Sequence, residues 1–107
     1  MKKLVLASLF LVLVVFCVSS QERRTVTIVN NTGYTIFNLY TKPPERPNWS
    51  ADLLGTNVIQ NGGSYNIFVT YDYADICLVD ADGDTYTKYF EDTYGGERIV
   101  FTIRDLD

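Results

Sequence analysis

Two hydrophobic patterns follow one another along this chain. From Leu4 to Val18 the stretch LVLASLFLVLVVFCV is apolar at every position but Ser8. Beyond Arg23 apolar residues instead alternate with polar ones over short stretches separated by turn-forming residues. Alternation with a period of two is what a strand with one buried face requires, because successive side chains point to opposite sides of a sheet.

The alternation predicts a series of strands. Residues 24–30, RTVTIVN, place Val26 and Ile28 on one face and Thr25 and Thr27 on the other. In 34–41, YTIFNLYT, simple alternation pairs Phe37 with Leu39 and sets Tyr34, Ile36 and Tyr40 opposite them. A short strand is expected over 56–60. In 64–71, Tyr65, Ile67 and Val69 share a face, and in 75–80 Ile76 and Leu78 oppose Cys77 and Val79. Residues 85–91 return antiparallel, and 97–104 set Ile99, Phe101 and Ile103 on one face. The expected core therefore includes Ile67, Ile76, Leu78, Ile99 and Phe101.

The gaps between these runs carry turn chemistry. Asn30–Gly33, Asn61–Gly63, Asp72–Ala74 and Tyr94–Gly96 are such clusters, and Asp82-Gly83 is the pair preferred by a two-residue type I′ hairpin. Three prolines within 42–50 remove backbone donors and fix φ, so this stretch is an extended loop. Ser50 to Gly55 reads as one helical turn, with Ser50 as N-cap and Gly55 as the stop. Together these elements predict an all-β fold: an antiparallel β-sandwich of about seven short strands, with one helical turn near residues 50–55.

The apolar opening changes the picture of where the domain works. Lys2 and Lys3 precede a run too short to cross a bilayer as a helix, and small residues follow it. This is the pattern of a signal peptide over 1–20, cleaved before Gln21. It leaves one domain over 21–107, secreted or periplasmic, with no membrane association after cleavage. Phe16 stands where a lipid-modified cysteine at Cys17 would need a small residue, which argues against a lipoprotein.

Charge then narrows the partners. The whole chain carries −4. Residues 1–20 contain two lysines and no acids, so seven basic residues face thirteen acidic ones in the expected mature chain, a net −6. Nucleic-acid binding draws on Lys and Arg against phosphate, so it is not expected. The charge is concentrated: Asp72, Asp75, Asp80, Asp82, Asp84, Glu91 and Asp92 meet only Lys88 in their stretch. The chain contains no histidine. That removes Ser-His-Asp and Cys-His catalysis, and an enzyme is not expected. Cys77, the one cysteine beyond the signal segment, cannot form an internal disulfide and reads as a buried, inert thiol.

The stretches VNNTGYTIFNLY, WSADLLG and DICLVDADGDTY resemble a family of small secreted bacterial proteins of unknown function. The resemblance spans nearly all of the expected mature chain. It implies a β-sandwich and no established activity.

Two groups of residues are candidates for a site. Asp80, Asp82 and Asp84, with Glu91 further on, have the spacing of calcium-loop ligands. Thr85 stands where such a loop needs glycine, and the flanks read as strands. The favoured reading is therefore a hairpin, with at most two of the three carboxylates converging and no cofactor. The second group is Pro44, Arg46 and Trp49 on the proline-rich loop. This stiff segment serves either as a recognition surface for a protein or glycan partner or as a crossover between the sheets, with Trp49 expected to cap the core against Leu53. The expectation is an exported, non-enzymatic interaction or structural module, the alternative a calcium-assisted carbohydrate-binding module.

Overall fold

In the computed structural model, the residues described are 24–107; the signal-segment reading falls outside them. Six strands are present among them: β1 (Arg24–Asn31), β2 (Ile36–Lys42), β3 (Ser64–Val69), β4 (Tyr73–Asp80), β5 (Thr85–Asp92) and β6 (Arg98–Thr102). One sheet has the order β3-β1-β6 and the other β2-β4-β5. The all-β sandwich expected from alternation is the fold observed. No helix among the described residues is long and apolar enough to cross a membrane.

The pairs are antiparallel except one: β6 runs parallel to β1, from Thr27 beside Arg98 to Asn31 beside Thr102. A parallel neighbour needs a crossover rather than a hairpin. Here β2 to β5 lie between the two strands in sequence, so the parallel pair joins the first strand to the last. The seventh expected strand, 56–60, contributes only a bridge from Ile59 to Ile36.

Between the sheets lies one core. Val26, Ile28, Ile67, Val69, Ile99 and Phe101 enter from the first sheet, and Ile36, Leu39, Ala74, Ile76, Leu78 and Tyr86 from the second. Leu54 and Ile59 close one side. All five residues singled out from alternation are buried.

Three local expectations are corrected. First, β2 carries a bulge: Ile36 pairs with Asp80 and Asn38 with Val79, so Phe37 is an extra residue. The bulge shifts the parity, so Ile36 and Leu39 both face the core while Phe37 is exposed. Second, no helical turn forms at 50–55. Asp52, not Ser50, organises the segment, its carboxylate accepting from the N–H groups of Leu39 and Leu54 and from the Asn38 amide. Burial pushes the Asp52 carboxyl upward, but these donors together outweigh it and hold it below its ordinary value. Third, β6 ends at Thr102, which caps a single 3-10 turn through a reciprocal pair with Asp105. That turn carries Ile103 out to solvent.

Candidate functional site

The proline loop is a clamped excursion from β2. The chain leaves the strand at Lys42 and turns over Pro43–Arg46, with the Arg46 N–H donating to the Pro43 carbonyl. It rejoins at Ser50, whose N–H donates to the Thr41 carbonyl at 2.8 Å while its hydroxyl accepts from the Thr41 N–H at 3.0 Å. Prolines stiffen the excursion and these bonds close its base. Leu53 N–H then donates to Leu39 O, so the returning chain covers the outer edge of β2.

Facing the loop is the turn between β3 and β4. The Tyr71 hydroxyl donates to Thr41 Oγ1 at 2.8 Å, the buried Thr93 hydroxyl donates to the Tyr71 carbonyl, and the Thr93 N–H donates to the Asp72 carbonyl. The third wall is a bulge in β5. Ala74 pairs with Glu91 and Ile76 with Lys88, so Tyr89 and Phe90 both lie against Asp75. Phe90 adopts φ +54, the left-handed region that costs a residue with a Cβ about 1–2 kcal/mol. Phe90 as a whole is 68% exposed.

One buried carboxylate ties two of these walls together. Asp75 Oδ1 accepts from the Phe90 N–H at 3.0 Å, and Oδ2 pairs with Lys42 Nζ at 2.8 Å. The first residue of the proline-loop excursion and the strained residue of the bulge are thus held by the same side chain.

Two shallow grooves result. One, of about 360 Å³, is lined by Pro44, Glu45, Tyr71, Asp72, Tyr73 and Phe90. The other, of about 300 Å³, is lined by Thr41, Lys42, Pro43, Arg46, Pro47, Asn48, Trp49, Ser50 and Tyr71. Tyr71 borders both. Pro44 lies in the first, and Arg46 and Trp49 in the second. The expectation that Trp49 caps the core is corrected: it is exposed and stands outside the core, with Lys42 Nζ 5.3 Å over its ring.

Asp80, Asp82 and Asp84 come together at the opposite end of the sandwich, each offering an oxygen within 4.8 Å of the others. The expectation that at most two converge is corrected, and the turn explains why. Only Gly83 has positive φ there, the Gly83 N–H donates to Asp80 O, and the Asp80 N–H donates to Asp84 O. This is a longer turn than the two-residue type I′ form, closed by a glycine in the left-handed region. Asp80 Oδ1 accepts from the N–H groups of Asp82 and Asp84, and Oδ2 accepts from the Tyr86 hydroxyl at 2.9 Å. Burial, with the Asp80 hydrogen bond and charge, pushes Tyr86 up to about 12. Asp80 is thereby an internal organiser of its own hairpin.

Sequence reasoning singled out the loop but missed Asp75, Tyr71, Tyr73 and Phe90. Tyr73 fell in an expected turn, yet β4 begins there. In TYTKYFE the alternation breaks at Thr87-Lys88 and Tyr89-Phe90, the signal that could have announced the bulge. Cys77 is half-buried rather than fully buried, and burial pushes its thiol up, followed by a lowering bond to Thr87 and a raising charge on Asp107.

The fold defines a small mixed β-sandwich. No protein-family model and no curated protein matches the chain. Among solved structures, the NMR structure of a protein from Eubacterium rectale is similar, with a TM-score of 0.56 and 15% identity over 78% of this chain and 81% of that one. At that identity the likeness concerns the fold alone.

Proposed function

We propose that this chain is an exported, non-enzymatic interaction module that holds a protein partner at the proline-loop end of its sandwich. The observation that carries the reading is the Phe90 bulge. An exposed aromatic residue is kept in a costly backbone conformation on the wall of the first groove, and such strain persists where the surrounding structure over-determines it, often at a binding site. The clamped prolines support it, because a stiff loop loses little entropy on binding. Export rests on Lys2, Lys3 and the apolar run that follows, and the non-enzymatic part on the absence of histidine from the chain.

The calcium-assisted carbohydrate reading draws on the convergence of the three aspartates. Geometry weighs against coupling them to Trp49. That residue lies near Thr41 and Lys42, level with Asp75, and Asp80 lies five positions further along β4, about 16 Å of strand. One sugar ring does not bridge that distance.

A photo-crosslinking side chain placed at position 90, and separately at position 82, tests the site in exporting cells. Discrete adducts from position 90 and none from position 82 are expected. Adducts only from position 82 would move the interaction to the hairpin end and reject this reading.

A further inference from the structure

Two cations share one arrangement, Arg24 against the Asp72 wall of the first groove and Lys42 in the second. The Arg24 guanidinium lies 4.9 Å over the Tyr94 ring and 2.9 Å from an Asp72 oxygen. Lys42 Nζ lies over the Trp49 ring and pairs with Asp75. A cation set between an aromatic face and a carboxylate gains from the ring quadrupole and from the opposite charge together. The first groove repeats the receiving half of this arrangement, with Phe90 and Tyr73 as rings and Glu45 as carboxylate. Among the described residues, no cation is seated over either of those rings, and Glu45 has no ion-pair partner.

We propose that this groove docks an extended segment of a partner protein through one arginine or lysine side chain, laid against Phe90 and Tyr73 and paired with Glu45. The inference rests on the reading of this end as the interaction site and adds the chemistry of what it takes. Charge complementarity favours it: besides Glu45, the exposed Asp92, which has no ion-pair partner among the described residues, lies across the sheet from Tyr73, while Arg24 already pairs the Asp72 carboxylate on the groove wall. The form of the groove favours a chain segment over a free small cation, since beyond Tyr71 the surface continues into the second groove. Arg46 lies in that second groove, so a segment crossing Tyr71 meets positive charge there, and its own basic side chain belongs in the first groove.

The test is panning of a random phage-displayed peptide library on the purified native protein, followed by titration of the selected peptides against variants. Phe90→Gly is the decisive variant. Glycine keeps the left-handed backbone without strain while removing the ring, so the variant should fold with a melting temperature no lower than the native chain's. The expected result is a set of peptides sharing one arginine or lysine, bound about tenfold more weakly by Phe90→Gly and by Glu45→Gln. Peptides that depend on Phe90 yet share no basic residue would overturn this inference and leave the interaction module standing. No selected peptide, or peptides indifferent to Phe90→Gly, would overturn both.

Discussion

Asn30 shows how much a single side chain settles in a domain whose described residues hold no disulfide. It is fully buried, donates through Nδ2 to the carbonyls of Tyr34 and Ile59, and accepts through Oδ1 from the N–H and hydroxyl of Thr32. It thereby staples the β1–β2 turn to the 56–60 segment. Asn30→Asp would aim a carboxylate at two carbonyls, and a buried unsatisfied polar group costs about 1–3 kcal/mol, more when charged. The variant should lose at least about 3 kcal/mol in urea unfolding at neutral pH. Tyr86 gives a second prediction at this scale. Its folded value of about 12 exceeds the ordinary 10. The folded state keeps the proton after the unfolded chain has lost it, so this stabilisation is complete below 10 and disappears as pH rises toward about 12. Stability measured through that window should fall less steeply in Tyr86→Phe than in the native chain. Equal slopes would show that Tyr86 ionises freely.

At the scale of elements, period-two alternation reads a regular strand well and an irregular one badly. Val26 and Ile28 in β1, and Ile76 and Leu78 in β4, lie on the faces their spacing assigns. In β2 a single extra residue at Phe37 inverts the reading of everything before it. The β5 bulge shows in sequence only as a broken alternation, because phenylalanine carries no propensity for positive φ; the cause lies in tertiary bonds from Asp75 that no local pattern reveals. The candidate site is therefore half visible in sequence: the prolines and Trp49 stand out, while the opposing aromatic wall does not. The β4–β5 hairpin departs from its Asp-Gly signal for a related reason, since Asp80 bends its own carboxylate back onto the turn. That occupation yields a prediction. Three donors already use the Asp80 oxygens, so calcium added at constant ionic strength should raise the melting temperature no more than magnesium does. A millimolar site binding only the folded state would add about 1.4 kcal/mol at tenfold excess, a readily measured rise. A calcium-specific increase that vanishes in Asp82→Asn would restore the metal-binding reading.

For the molecule as a whole, stability must come from packing between two three-stranded sheets, because Cys77 has no partner among the described residues. A domain of this size buries only about 60% of the surface its unfolded chain exposes, so the margin is narrow and a core defect is felt globally. Leu78 is the most informative position. It sits in β4, the central strand of its sheet, is fully buried, and pairs with Leu39 on one side and Tyr86 on the other. Leu78→Ala should cost about 2–5 kcal/mol, by lost transfer energy and by the cavity that rigid neighbours cannot fill. For a domain this small each kcal/mol shifts the melting temperature by about 4–8 °C, so the variant should melt at least about 8 °C lower. The first and last strands lie side by side, so the loss should be shared by every element: fluorescence of Trp49 at one end and far-ultraviolet dichroism of the sheets should move together. A reducing agent should leave both curves unchanged. Separate transitions would show that the groove end unfolds apart from the core, and an unchanged midpoint in Leu78→Ala would refute the assignment of the buried face.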